Sequence, residues 1–416
     1  MVASTDIKFY VHTNSNAPQL QNAYGSMINV LDACLINGIN IGTVSSLTAS
    51  GTTVTALFSS AHNLMQYQVI KITGANQPEF NGEHRVLTIP NAQSITFELA
   101  AAPSTATATG TITASLPPLG WEKPFSSTSA TGGKGAYRSK NLLLPSRPFL
   151  RVVDELDPAY TATYAKYAKV GIVEDMADID TLLGVQAPYD SAAPDKNWVG
   201  SGSGTSAYNG WAKWYYAKSG LSTGADAASA TVTSGDRPWI IVGNSDYFYI
   251  LNGVSPSDTN LIPYGFGSFI SFLNTDNANC FLSASLEYVP ASSGAWPASN
   301  LTTTSTNKLV LQRNYAGAAS VSNAGTASIN PTMQQVSSGN SDYVSNVATS
   351  GYVCFADVYI KEGAVLRGAI PNLHWVFQNK PLNRNQLFEK GGNLYIALYV
   401  AIEYQQGQII LKIGEL

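Results

Sequence analysis

Pairs of short β-branched and aromatic runs, each pair joined by a few turn residues, constrain the fold more than any other feature of this sequence. Such a pair predicts a β-hairpin, because adjacent extended segments joined by a short turn pair in antiparallel fashion. The clearest pairs are 238–251 around Gly243-Asn244-Ser245, 265–273 with 280–289, and 394–404 with 408–413. The sequence therefore predicts a mainly β protein with an antiparallel β-sandwich or barrel-like core.

One N-terminal helix is expected beside this core. Apolar residues recur at steps of three and four from Leu20 to Leu35, which gives a single apolar stripe. Pro18 suits the first turn of such a helix, and Asn37-Gly38 suits its C-terminal end. We expect the stripe to pack on the main sheet rather than form an inter-subunit coiled coil, because it is shorter than the roughly three to four heptads that a coiled coil needs.

The segment between the Ile41-Gly42 and Pro117-Pro118 joints differs in residue pattern and composition from the rest of the chain. Its strand-like runs alternate with turn signals such as Asn81-Gly82, and it contains no Trp. An insertion at a surface loop costs little free energy, so we interpret the segment as an inserted domain. The predicted organisation is an N-terminal arm and helix of the main domain at 1–42, an inserted small all-β domain at 43–116, and the main β-rich domain at 117–416 with long loops at 190–235 and 291–350.

The surface of this protein is expected to be polar but weakly charged. Charged residues make up 12% of the 416 residues and hydrophobic residues 44%, whereas about 25% charged residues is usual. Disordered chains combine low hydrophobicity with high charge, so a packed protein is favoured. The formal net charge is −4, and no Lys and Arg cluster is long enough to follow a phosphate backbone, so nucleic acid is not an expected partner.

Cellular location is constrained by the cysteines and by the first residues. Cys34, Cys280 and Cys354 are an odd number and lie far apart, which favours reduced thiols and synthesis in a reducing cytoplasm. The N-terminus lacks the basic start and apolar stretch of a secretory signal. No apolar run approaches the ~20 residues of a membrane helix. We therefore expect a soluble protein with no membrane partner.

Two acidic stretches are the main candidates for catalytic or cation-binding residues. Paired carboxylates serve glycoside hydrolysis or hold Ca²⁺. The second stretch lacks the Gly and the terminal Glu of an EF-hand loop, so a solvated loop face is the favoured interpretation, with a stabilising cation as the alternative. The carboxylates are Asp154, Glu155 and Asp157 in the first stretch, and Glu174, Asp175, Asp178 and Asp180 in the second.

Other residues that often carry chemistry do not form a recognisable motif. The histidines are too scattered for a zinc site. Neither Gly132–Gly135 nor Gly200–Gly204 has the full spacing of a phosphate-binding loop. An aromatic cluster has the side chains that stack on sugars, although core or interface packing is the favoured interpretation. We predict no catalytic residue, cofactor or metal. The histidines are His12, His62, His84 and His374, and the aromatic cluster is Trp198, Trp211, Trp214, Tyr215 and Tyr216.

An ordered series of motifs resembles an uncharacterised family of tailed-bacteriophage virion proteins. The resemblance covers most of residues 15–290 and 351–416. In that family the Asn-Gly that ends the helix lies close to the Gly-Trp-x-x-Pro-Phe segment, which implies that 43–116 is an insertion, similar to the immunoglobulin-like domains of phage proteins. This chain departs from the family pattern at Asn372, where Gly is usual. The motifs are DACLING at 32–38, GWEKPF at 120–125, AYR at 136–138, LRVVD at 150–154, RPWIIVGNSDYFYIL at 237–251, GFGSFISF at 265–272 and RGAIPNLHWVFQNKPL at 367–382.

The resemblance implies a structural, non-enzymatic component of the virion, assembled in the bacterial host cytoplasm. The expected location is the tail, collar or neck, or baseplate. Its expected partners are other virion proteins and copies of itself in a symmetric ring, because most homo-oligomers close symmetrically. The alternative is a capsid-decorating or host-glycan-binding virion protein, and a third hypothesis is a glycan depolymerase that uses the acidic stretches.

Overall fold

The computed structural model describes most of the chain as antiparallel β-structure, which confirms the predicted fold class. Much of the predicted loop at 291–350 and the centre of the loop at 190–235 lie outside the described residues. Their described parts include the strands Ala212–Ala217, Lys308–Leu311 and Gly325–Ile329, so these segments are not loops throughout. The described residues are 3–203, 210–221, 230–286, 308–319, 325–329, 353–376, 378, 380–402 and 405–416. Within them, no helix has the length and hydropathy needed to cross a bilayer.

The largest element of the described part is a 13-stranded antiparallel sheet, the main sheet. All three predicted hairpins belong to it and are confirmed by their pairing. Its strands, in spatial order, are Lys8–Val11, Trp239–Gly243, Tyr247–Asn252, Ile262–Ser268, Cys280–Ser283, Lys308–Leu311, Gly325–Ile329, Phe355–Glu362, Val365–Val376, Gln405–Glu415, Asn393–Ile402 and Leu387–Lys390, with Ile270–Ser271 beside Val365–Val376.

The main sheet curls so that its two halves face each other. Apolar side chains from both halves, such as Ile240, Tyr249, Leu398 and Leu411, form one buried cluster between them. Backbone hydrogen bonds join the halves as well, because the Leu261 amide donates to a carbonyl of the facing half and its carbonyl accepts an amide from there. The result is the half-barrel or sandwich that the alternating strands predicted.

A second, seven-stranded antiparallel sheet, the side sheet, covers one surface of the main sheet. Large aromatic rings fill the space between them: Trp121 meets Phe248 edge-on at 5.3 Å between ring centroids, and Trp214 stacks on Tyr264 at 5.8 Å. Its strands, in spatial order, are Ser285–Leu286, Ala212–Ala217, Lys166–Met176, Phe149–Glu155, Gly132–Ser139 and Trp121–Ser129, with Leu182–Ala187 also beside Lys166–Met176.

The N-terminal helix exists but is shorter than predicted. The α-helix spans Ser26–Leu31 and continues as a π-helix over Asp32–Asn37. Leu20 precedes it and forms a β-bridge with Arg237, so the first part of the apolar stripe belongs to the sheet edge. The predicted C-terminal end is confirmed: Gly38 has φ 78°, a conformation that glycine adopts without steric cost.

Residues 39–116 form a third sheet, the module sheet, whose strands pair only with one another in the described part. The chain enters and leaves it at one place, because the Leu119 amide donates to the Cys34 carbonyl. This is the geometry that an insertion requires, while the boundaries 43–116 and the immunoglobulin-like assignment stay predictions. The strands, in spatial order, are Gly82–Arg85, Val69–Ala75, Gly110–Leu116, Ile39–Ser50, Thr53–Phe58, Ser94–Glu98 and Thr88–Asn91, with a 3-10 turn at Pro78–Phe80.

One buried arginine fastens the module sheet to the main sheet. The Arg85 guanidinium donates to the carbonyls of Ser4, Ile7 and Ile413, at 2.6 to 3.1 Å. Burial lowers the pKa of Arg85 to about 10, so the side chain stays charged at neutral pH. Hydrogen bonds from a charged donor are stronger than neutral ones, so the module is held against both ends of the described chain.

Candidate functional site

Strand alternation separates the carboxylates of the first acidic stretch. In Phe149–Glu155, successive side chains point to opposite faces of the side sheet. Asp154 shares the inner face with Val152, which belongs to the core between the two sheets. Glu155 shares the outer face with Val153, which belongs to a separate small cluster. The two adjacent carboxylates therefore do not form a catalytic pair.

Asp154 is a distant cap for the short helix. Its carboxylate accepts hydrogen bonds from the backbone amides of Met27 at 3.0 Å and Ile28 at 3.4 Å, and from the Tyr216 hydroxyl at 2.6 Å. The side chain is completely buried, and burial raises the pKa of Asp154 to about 6 despite these donors. Its role is to satisfy amides at the start of a helix whose own N-cap residue, Gly25, has no side chain.

Asp157 forms a buried ion pair on the outer face. Its carboxylate lies 2.8 Å from the Lys169 ammonium, which also donates to the Trp198 carbonyl at 2.6 Å. The backbone amides of Ala159 and Gly200 donate to the same carboxylate. Burial alone would raise the pKa of Asp157, but Lys169 and the two amides outweigh it and lower the pKa.

The carboxylates of the second acidic stretch have separate structural roles. Asp178 accepts hydrogen bonds from the Thr181 amide and hydroxyl, which closes a turn. Asp180 pairs with Arg151 at 2.6 Å and with Lys134 at 2.9 Å. Glu174 pairs with Arg313 at 2.5 Å, and Asp175 is exposed. Within the described residues, no group of three or more His, Cys, Asp and Glu side chains is placed to hold a metal ion.

Several of these ion pairs line one pocket of about 480 Å³ on the outer face, here called the outer pocket. Three cations and three carboxylates lie in its wall, so its formal charge is balanced. The Arg151 guanidinium also stacks over the Trp198 ring at 4.5 Å. Its charged lining residues are Lys134, Arg151, Lys169, Glu155, Asp157 and Asp180. The acidic stretches do converge here in part, which the sequence did not indicate, but each of these acids has a cationic partner.

The remaining sequence candidates have structural roles. Trp211, Trp214, Tyr215 and Tyr216 are buried, and Trp198 nearly so, which confirms core packing for the aromatic cluster. The run at Gly132–Gly135 is part of a strand rather than a phosphate-binding loop. Burial lowers the pKa of all four histidines, so each is expected to be neutral at pH 7.

Two surface features were missed by the sequence analysis. The first is a pair of exposed leucines, Leu142 and Leu143, which expose 77% and 92% of their surface. Their loop is held in place, because Asn141 donates to Asp246 at 2.8 Å and the Leu143 amide donates to the Asn141 side chain. A run of apolar residues before Pro145 predicts burial, so only the structure shows these side chains in solvent.

The second missed feature is a polar groove of about 760 Å³ between the side sheet and the main sheet, here called the loop groove. Its walls come from three connections that are far apart in sequence, which explains why no motif marks it. It is lined by 145–148 and Glu174 on the side-sheet part, and by 275–277, 312–313 and 315–317 on the main-sheet part.

Comparisons with known proteins add little to this geometry. No protein-family model and no curated protein matches the chain. One solved structure to which it is similar is an endosialidase of phage phi92, with 9% identity, a TM-score of 0.15, and coverage of 91% of this chain and 52% of the endosialidase. The chain thus spans about half the length of that protein. A likeness at this level carries no argument about fold or activity.

Proposed function

We propose that this protein is a structural component of a tailed-bacteriophage virion, in the tail, collar or baseplate, that works by protein–protein assembly. Its expected partners are other virion proteins and further copies of itself in a symmetric ring. No enzyme activity is part of the proposal. The motif series of the sequence, from DACLING at 32–38 to the segment at 367–382, supports the placement in a virion.

The observation that carries an assembly role is the fixed loop that presents Leu142 and Leu143 to solvent. Adjacent large apolar side chains that a fixed loop holds in solvent indicate a surface that a protein partner covers. On the main sheet, Ile270 and Leu366 lie on paired strands and Phe272 follows the first of them, and each of the three is about half exposed. Obligate interfaces bury roughly 2,000 Å² or more, and apolar side chains form their centres.

The depolymerase hypothesis receives no support from the acidic residues. A glycosidase needs two carboxylates that face one bond across a gap of roughly 5–9.5 Å. Asp154 serves as a helix cap, and Asp157 and Asp180 are paired with cations. Cleavage of host polysaccharide by the purified protein would nevertheless contradict the non-enzymatic proposal.

Mass spectrometry and a reconstruction of purified particles test the placement directly. We expect the protein in the particle, with the loop at 141–145 covered by a neighbouring chain. Leu142→Asp with Leu143→Asp should abolish incorporation, while the matched control Leu183→Asp, exposed on another strand of the side sheet, should not. Absence of the protein from particles, or normal incorporation of the double variant, would refute this proposal.

The alternative role, capsid decoration or host-glycan binding, predicts a different phenotype. Deletion of 43–116 would then reduce adsorption and leave particle assembly intact. Arg85 and its three carbonyl partners favour the opposite result, because the module is fastened to both ends of the described chain.

A further inference from the structure

The floor of the loop groove is held rigid by a buried ionic network. Arg367 is completely buried and donates twice to Asp276, at 2.9 and 3.0 Å. It also pairs with Glu362 at 2.9 Å and donates to the Arg313 carbonyl. Two parallel hydrogen bonds to one carboxylate fix the orientation of both groups. The connections at 275–277 and 312–317 are therefore fixed relative to each other before any ligand arrives.

The charges that line the groove cancel. Arg147 and Arg313 are balanced by Glu174 and Asp276, and each arginine has an acidic partner: Arg147 lies 3.3 Å from Glu122 and Arg313 lies 2.5 Å from Glu174. An anionic or cationic ligand would gain little net attraction here and would lose its hydration. The balance favours an uncharged polar ligand.

Hydrogen-bonding capacity remains free on the groove surface. Gln312 is only 4% exposed, and one end of its amide accepts a hydrogen bond from the Ser146 hydroxyl at 2.7 Å. The other end has no hydrogen-bond partner among the described residues, whichever way the amide is turned. This free end reaches the solvent of the groove, so a ligand hydroxyl can bond to it in place of water.

The rim adds further polar groups and an aromatic ring. The side chains of Thr275 and Asn277 are exposed in the connection on one side. Tyr315 lies on the rim with 52% of its surface exposed. A ring with one apolar face and a polar end suits a ligand that is apolar on its C–H face and polar at its edge.

We propose that the loop groove binds a neutral oligosaccharide, with Gln312, Asn277 and Thr275 bonded to its hydroxyls and Tyr315 against one sugar ring. A volume of about 760 Å³ lies in the usual range of ligand sites, roughly 300–1,000 Å³. Sugars combine many hydroxyls with an apolar C–H face, which matches the polar groups and the tyrosine ring of this lining. The inference concerns the isolated chain and holds or fails independently of its place in a virion.

The test uses the full chain and tetrasaccharide probes of known composition. Maltotetraose, cellotetraose and galactotetraose are titrated to about 10 mM, where weak millimolar binding is measurable, with saturation-transfer NMR and calorimetry as readouts. Tetragalacturonic acid serves as the charged counterpart. We expect at least one neutral probe to bind and the acidic probe to bind more weakly. Failure of every neutral probe, or tighter binding of the acidic one, would overturn the inference.

Matched variants locate the site. Tyr315→Ala and Asn277→Ala should each weaken binding by about fivefold to tenfold, consistent with loss of one ring contact or one hydrogen bond. The controls are Phe272→Ala and Asn274→Ala, since both residues are exposed nearby but do not line the groove. Thermal unfolding checks that all four variants are folded. Equal affinity of the groove variants and the controls would place the binding elsewhere and overturn the assignment.

Discussion

The inner and outer faces of the side sheet stabilise their buried carboxylates in different ways. On the inner face, Asp154 has only neutral partners, namely backbone amides and the Tyr216 hydroxyl. On the outer face, Asp157 has the Lys169 ammonium as well as two amides. Both side chains are buried, and the residues are three positions apart. The pKa of Asp154 is nevertheless raised and that of Asp157 lowered.

The difference shows that burial alone does not decide the state of a carboxylate. Desolvation raises the pKa of both groups, and at Asp157 the Lys169 ammonium together with two backbone amides reverses the shift. Removal of a partner should therefore lower the free energy of unfolding most where it leaves a buried charge alone. The loss should be smaller where it leaves only neutral donors without an acceptor. Substitutions on the two faces separate these two cases.

The largest expected effect comes from removal of the cation on the outer face. Lys169→Met leaves the Asp157 carboxylate buried without its counter-charge, which should lower the free energy of unfolding by about 3–5 kcal/mol. Urea denaturation measures the loss. The double variant Lys169→Met with Asp157→Asn should recover most of the stability, because no lone charge remains. A loss below about 1 kcal/mol for the single variant would show that the pair is not buried in solution.

Removal of the carboxylate on the inner face should cost somewhat less. Asp154→Ala leaves the amides of Met27 and Ile28 and the Tyr216 hydroxyl without their acceptor, and the expected loss is about 3 kcal/mol. Hydrogen exchange should show the helix Ser26–Leu31 opening more often in the variant. Glu155→Ala, next in sequence but on the other face, is the matched control and should lose less than about 1 kcal/mol. Equal losses for the two variants would contradict the separation of the faces.

The two faces should also differ in how stability depends on pH. The folded pKa of Asp154 is about 6 against an ordinary value of 3.8, so its contribution is present below 3.8 and is lost as the pH rises through 6. Relative to Asp154→Asn, the wild type should therefore lose about 2 kcal/mol between about pH 4 and pH 7. Asp157 has a lowered pKa, so its contribution is present above 3.8 and disappears as the pH falls further. Urea denaturation midpoints of the wild type, Asp154→Asn and Asp157→Asn across this pH range show whether each carboxylate stabilises the fold at low or at high pH.

The fold was largely predictable because hairpins leave a local signal. Alternating runs and turn residues set all three predicted hairpins, and Gly38 ends the helix as expected. The start of the helix was predicted too early, because Leu20 fits a helical stripe and a sheet edge equally well. Asn372 adopts φ 55°, a left-handed conformation that asparagine tolerates better than most residues.

The surface features were not predictable, because their residues meet only through the tertiary fold. The loop groove combines Ser146, Asn277 and Gln312 from three distant connections. The cap of the helix is supplied by a residue 127 positions from Met27. Sequence patterns report local periodicity, whereas these contacts depend on how the side sheet lies on the main sheet. Asp154 and Glu174 do stand out in the sequence as acidic residues, but neither acidic stretch indicates these roles.

The smallest expected effect is on the exposed part of the outer face. Lys134 pairs with Asp180 at 2.9 Å and with Glu155 at 3.6 Å, but Asp180 exposes 57% of its side chain and keeps its contact with Arg151. Solvent screens such a pair, so Lys134→Met should cost less than about 1 kcal/mol, and added salt should shrink the difference from wild type. Urea denaturation at low and high salt measures both. A loss as large as that of Lys169→Met would mean that the outer pocket is closed to water in solution. In that case the two faces would differ in stability only because their carboxylates have charged or neutral partners, and solvent exposure of the outer pocket would contribute nothing.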